Sequence, residues 1–281
     1  DYFFFLHSFL WAFAPWSIIA YFAVAGRLKN LLQRKEEWLT TGVFIIILLV
    51  VSFSGFKLPH YLNIVFPTSA VLTAAFILHK KNTGKWIRAI LIIQGSVVFL
   101  LLILVAIINA WAFPVRNTWV IIGMILLLSV VFYFIKSKMY SSLQKSVFVS
   151  VAAMVFSFFL LNSNFYPQLL KYQGGNELAF ATRGKVDPNN VYFWNNTYSS
   201  SFNFYTATLR KPFTDLVLQQ GKVVWLMFDI RDEEQIKQAG YHLNEQFSAL
   251  DYEITKLDIK FINPARRDSA CTKLLLAEIS K

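Results

Sequence analysis

The chain has 281 residues, 56% of them hydrophobic and only 15% charged, with a mean hydropathy of +0.47; this lies outside the soluble globular range and marks a membrane protein. On a soluble chain a net charge of +11 would suggest a nucleic-acid binder. Here 13 basic against 3 acidic residues fall in residues 1–163, so the excess belongs to the hydrophobic portion and nucleic acid is not an expected partner. One cysteine, Cys271, excludes an internal disulfide and a multi-cysteine metal site.

A bilayer-crossing helix needs about 20 mostly apolar residues, because its backbone must satisfy itself across roughly 30 Å of hydrocarbon. Six stretches qualify, one of them marginally: Phe3–Ala25, Leu39–Phe56, Tyr61–His79, Ile87–Phe113, Thr118–Ile135 and Ser146–Leu161. Only Lys57-Leu58-Pro59-His60 separates the second and third, which predicts a tight hairpin at the membrane surface. The N-terminal Asp1-Tyr2-Phe3 lacks an initiator Met and a basic leader, so the chain reads as beginning within a longer protein.

Orientation follows from Lys and Arg, which accumulate in cytoplasmic loops. Eleven of the thirteen basic residues occupy alternate connections: Arg27, Lys29, Arg34 and Lys35 after the first span, Lys80, Lys81, Lys85 and Arg88 after the third, and Lys136, Lys138 and Lys145 after the fifth. The intervening loops hold only Lys57 and Arg116, which predicts that they face the extracytoplasmic side together with the N-terminus and the tail.

Residues 164–281 read as a small extracytoplasmic α/β domain after the membrane bundle of residues 1–163. Strand-like runs are Asn190–Trp194, Lys222–Phe228, Tyr252–Phe261 and Thr272–Ile279. Asp232–Gly240 predicts a helix with acids in its first turn and a terminal glycine, and Ser199–Ser201 can cap another. Gly174-Gly175 suggests a hinge, and Cys271 a small buried residue at a strand start. Asp229, after a predicted strand, sits where α/β folds place ligands, although a lone acid there is more often a cap or turn residue. The four histidines have no metal-ligand spacing.

The hairpin concentrates polar groups where the bundle is otherwise apolar. Lys57 is a point charge suited to a phosphate, and the Tyr61 hydroxyl can donate to the same group. The same residues also suit a plainer role, a snorkelling lysine beside an interfacial tyrosine. Ser54-Gly55-Phe56-Lys57-Leu58-Pro59-His60-Tyr61-Leu62-Asn63-Ile64-Val65-Phe66-Pro67 resembles the K-L-P-x-Y hairpin of bacterial dolichyl-phosphate-mannose-protein-mannosyltransferase-like and aminoarabinose-transferase-like membrane glycosyltransferases. Upstream, Phe13-Ala14-Pro15-Trp16-Ser17 resembles the F-x-P-W-S/T of the preceding span in those families.

This resemblance implies a GT-C-type glycosyltransferase of the bacterial inner membrane, its tail periplasmic. It would take a hexosyl or pentosyl group from a polyprenyl-phosphate donor and pass it to an extracytoplasmic acceptor: lipid A, a glycan or a protein. Membrane lipids are then its surroundings, and a divalent metal is left open as cofactor. Lys57 and Tyr61 match positions that approach the carrier phosphate in such families; His60 lies between them, and Arg116 is a second basic candidate. A fixed cation at that place stabilises the anionic lipid phosphate as the glycosyl bond breaks. No catalytic residue is assigned, because the bundle's acids are Asp1, Glu36 and Glu37 alone, and the families' catalytic acids lie in an earlier loop. Two other classes remain: a non-enzymatic anchor presenting an extracytoplasmic recognition domain, and a lipid-linked sugar transporter. The latter calls for intramembrane charge or broken helices, whereas the fourth span offers chiefly Gln94 and Asn109.

Overall fold

The computed structural model describes residues 3–31, 38–55, 57–80, 84–195, 197–220 and 223–281. The chain divides into two compact units, one of residues 1–106 with 116–160, the other of residues 107–115 with 161–281. Asp1, Arg34, Lys35, Glu36, Glu37, Phe56, Lys81 and Lys222, all used in the sequence reading, lie outside the described residues.

The first unit is helical: α1 (Phe4–Ala12), α2 (Ser17–Leu31), α3 (Leu39–Phe53), α4 (Phe66–Lys80), α5 (Gly84–Ile107), α6 (Thr118–Lys136) and α7 (Ser142–Leu160). Among the described residues four helical runs are long and apolar enough to cross a membrane, Pro59–Lys80, Gly84–Ala112, Thr118–Lys136 and Ser142–Tyr172, and Leu39–Phe53 is a shorter apolar helix. This is a membrane protein by that measure. The first predicted span is corrected, since Phe3–Ala25 is not one helix. Pro15 has no amide proton to continue the ladder, and the chain turns between Ala12 and Ser17. Two bonds fix α2 antiparallel against α1: Ser17 Oγ donates to the Leu10 carbonyl at 2.6 Å, and Tyr21 Oη donates to the Leu6 carbonyl one turn further on. At 1.5 Å per residue α1 is about 13 Å long, less than half the hydrocarbon thickness. The basic connections from α2 onward keep their alternation.

Buried Phe5, Phe9, Ala20, Ala23, Phe44 and Leu72 bring α1 to α4 around one apolar cluster with Leu62 and Val65, and Ile19, Ile77 and Ile90 join α2, α4 and α5. Gly123 lets the Phe159 ring approach α6, where a Cβ would stand 2.4 Å from the ring. Gln94, buried in α5, donates to Ser150 Oγ of α7 at 2.9 Å.

The second unit begins with the ends of two helices, each wound into a π-turn, Ile108–Ala112 and Leu161–Phe165. Asn164 ties them by donating to Asn109 Oδ1 at 3.0 Å and to the Phe113 carbonyl at 2.7 Å. Then follow α8 (Tyr166–Leu169), α9 (Gly174–Ala181), β1 (Val191–Phe193), α10 (Ser200–Thr206), β2 (Lys211–Pro212), β3 (Val224–Asp229), α11 (Glu233–Gln238), β4 (His242–Asp251), α12 (Ile259–Ile262), α13 (Arg267–Ala270) and β5 (Thr272–Ser280). The sheet order is β2-β1-β3-β5-β4. β1 pairs in parallel with both β2 and β3, and β5 runs antiparallel between β3 and β4. The carboxyl ends of β1, β2, β3 and β4 thus share one edge.

Alternation sorts the strand residues onto two faces. Trp225, Met227, Leu274 and Leu276 face Leu178 and Ala179 of α9 and Phe202 of α10, while Leu226, Phe228, Leu275 and Ala277 face Ile236 of α11. The predicted strand Tyr252–Phe261 is corrected. The strand is β4, and Tyr252 and Phe261 stack with ring centroids 3.9 Å apart, closing the residues between them into a loop. Gly174-Gly175 is likewise no hinge, since both residues are buried in the first turn of α9.

Candidate functional site

The connection from α3 to α4 is short. Ser54 leaves the helix in extended geometry, and Pro59, with its φ already suited to a first helical position, opens a 3-10 turn over Pro59–Val65. Leu62 and Val65 bury that turn in the α1–α4 cluster. Lys57 is half-buried just before it and His60 is exposed on it. Tyr61 donates its amide to the Leu58 carbonyl at 3.1 Å and stacks on Phe5, centroids 6.3 Å apart, with the His60 ring edge-on at 4.9 Å. The fold therefore places His60 and Tyr61 on one turn at a span's end, with Lys57 just before it, and holds the Tyr61 ring by packing. Arg116 is exposed on a different connection, the one between α5 and α6. Gln94 and Asn109 are engaged with Ser150 and Asn164, each as half of a buried polar pair.

A second arrangement stands at the carboxyl edge of the sheet, where open α/β sheets form ligand crevices. Asp229 ends β3 opposite Leu274, and Asp251 ends β4 opposite Thr272. Leu274 and Thr272 are two apart on β5, so both carboxylates project on the face that carries Trp225 and Met227. A bulge between Leu243 and Gln246 sets this register; in a regular ladder continued from Leu243, Asp251 would point to the opposite face. The two acids open onto a cavity of about 660 Å³ that is also lined by Gln173, Tyr198, Ser201 and Arg231.

The environments of the two acids differ. Asp229 accepts from Arg231 through Nε at 2.8 Å and Nη2 at 2.7 Å and caps the following turn through the Arg231 amide. The guanidinium holds its carboxyl below the usual range. Among the described residues the Asp251 carboxylate accepts one bond, from the Gly174 amide at 2.8 Å. Burial pushes its carboxyl up, against that hydrogen bond and with a further push from the Asp229 charge. Among the described residues no group of three or more His, Cys, Asp or Glu could hold a metal ion.

No known protein family, curated protein or solved structure matches this chain.

Sequence reasoning reached Asp229, and the structure gives it the turn-capping role weighed there, with Arg231 as its ion partner. Asp251 was missed, because its meaning depends on the position of β4. The available signal was the alternation of Phe247, Ala249 and Asp251, which is masked because apolar Leu250 falls between Ala249 and Asp251.

Proposed function

We propose that this chain supplies the lipid-carrier part of a bacterial inner-membrane glycosyltransferase, which moves a sugar from a polyprenyl-phosphate donor to an extracytoplasmic acceptor. The observation that carries the reading is the Lys57–Tyr61 turn. A half-buried lysine lies two residues before a 3-10 turn that carries a histidine and a tyrosine, at the end of an apolar helix where a lipid phosphate would lie. Breaking the glycosyl–phosphate bond leaves negative charge on that phosphate. A cation fixed by a packed turn stabilises the charge without reorganising at the moment of reaction. The lipid-facing apolar helices supply the surroundings for the carrier's chain.

The test is transfer from a polyprenyl-phosphate sugar by the full-length protein in nanodiscs. Lys57→Ala is expected to lower kcat by about 10²-fold or more, as removal of a charge-stabilising donor does, and Tyr61→Phe to lower it by a smaller factor. Unchanged kinetics in both variants would remove the assignment. The cavity of the second unit favours one other reading, a membrane anchor presenting a recognition domain; under it the hairpin tolerates both substitutions. Ion-coupled transport has less support, because the four long apolar runs contain no Asp or Glu.

A further inference from the structure

We propose that the cavity at the carboxyl edge of the sheet in the second unit is a saccharide-binding site, with Asp251 and Tyr198 as its main recognition groups. The proposal is independent of the lipid-phosphate role given to Lys57. At about 660 Å³ the cavity has the size of small-molecule sites, which run from about 300 to 1,000 Å³.

The lining chemistry decides the ligand class. Carboxylates, hydroxyls and amides dominate the wall, which disfavours an apolar ligand. A phosphate or nucleotide would seek the first amides of α9, but Asp251 already occupies that place through the Gly174 bond at 2.8 Å. Asp232 and Glu253 are further acids of the lining, Glu253 being paired with Lys256 at 2.8 Å. No three-ligand cluster exists for a metal among the described residues. What remains is a ligand that donates hydrogen bonds in several directions and also carries an apolar face, as a sugar ring does.

The groups present suit such a ligand. The second oxygen of Asp251 has no hydrogen bond among the described residues and can accept from a sugar hydroxyl. Arg231 spends Nε and Nη2 on Asp229, which leaves Nη1 to donate. The Tyr198 ring is half exposed and held edge-on by Phe193 at 5.7 Å, offering a face for the ring's C–H groups.

The wall is also preformed. A Cβ on Gly175 would stand 1.9 Å from Ser199 Oγ and 2.6 Å from Ser201 Oγ, so the glycine is what seats the serine loop against α9. A site held this way has little ordering left to do when it binds.

The experiment is calorimetric titration of the full chain in nanodiscs without lipid-linked donor. The panel holds neutral hexoses, amino sugars and their short oligomers, with inorganic phosphate and a nucleoside diphosphate as controls. At least one saccharide is expected to bind in the millimolar range or tighter, and neither control to bind. Asp251→Asn keeps an acceptor for the Gly174 amide and so tests the charge without unfolding α9, while Tyr198→Ala tests the exposed ring. Each is expected to weaken saccharide binding by about tenfold, the effect of one charge-assisted hydrogen bond or one stacking face, and Lys57→Ala to leave it unchanged. Absence of binding across the panel, binding of phosphate or nucleotide instead, or full affinity in both cavity variants overturns the proposal. Loss of binding in Lys57→Ala also overturns it, by moving the sugar to the hairpin.

Discussion

Arg267 offers the sharpest quantitative check on the second unit. Its side chain is buried and has no carboxylate partner among the described residues. Its charge is held instead by carbonyls and ring faces. Nε donates to Phe261 O at 2.9 Å, and Nη2 donates to Ala112 O at 2.6 Å and Ile262 O at 3.1 Å, while the guanidinium carbon lies 3.8 Å from the Phe113 ring centroid. One residue thereby fastens the π-turn ending at Ala112 to a segment 155 positions later. Arg267→Ala leaves three carbonyls short of a donor, at about 1–3 kcal/mol each before water refills the space. It also removes a desolvated cation–π contact worth about 2 kcal/mol. Allowing for relaxation, we expect a loss of about 4 kcal/mol. Arg267→Lys keeps the charge but not the planar fork, so about half of that is expected. Hydrogen exchange reads this directly at the Phe113 and Val115 amides, which bond to Ile108 O and Asn109 O. If the unit opens cooperatively, their exchange should accelerate by about 10³-fold in the alanine variant. Acceleration below about threefold in both variants would show that Arg267 does not hold the two segments together.

Three further outcomes follow from the packing of the second unit. Gly175→Ala forces the Ser199 and Ser201 hydroxyls away and disturbs the Ser199 cap of α10, so thermal unfolding should show a loss of about 2 kcal/mol. The Cys271 thiol is pushed up to about 11, chiefly by burial and then by Asp268, and donates to Arg267 O at 3.3 Å. Its thiolate is therefore about 100-fold scarcer than at the ordinary value, and maleimide labelling at pH 8 should be slow until the protein is denatured. Asp251 has a raised folded-state pKa, from burial first and from the facing Asp229 charge, offset by the Gly174 amide. Its contribution to stability is full below the unfolded value near about 4 and is lost as pH rises through the folded one. Asp251→Asn should thus gain stability over wild type as pH rises from about 4 to 7, while losing saccharide affinity. An unchanged stability difference across that range would contradict the burial argument.

How far the sequence reached depended on whether a signal was local. β1, β3 and β5 lie inside the sheet, and their apolar runs were visible, as were the Ser199 cap of α10 and the glycine that ends α11 at Gly240. β4 is an edge strand with one flank unpaired, so polar residues interrupt its pattern. The alternation of Tyr252–Phe261 imitated a strand because Tyr252 and Phe261 turn to meet each other. In the first predicted span, hydropathy alone read through Pro15, although the residue that breaks the helix was in plain view.

The sequence by itself determined that the chain belongs in a membrane, where its long apolar segments run and how its basic loops alternate, because burial in lipid is a property of each segment taken alone. It also presented the Lys57–Tyr61 turn, whose residues are neighbours in the chain. Only the tertiary structure decided that Phe3–Ala25 doubles back on itself, and that Asp229 and Asp251 share a face above one cavity. The first rests on hydrogen bonds between α1 and α2 on either side of Pro15, the second on strand pairings between residues far apart in the chain and on a single bulge in β4, and no local pattern of hydropathy or charge encodes a strand register.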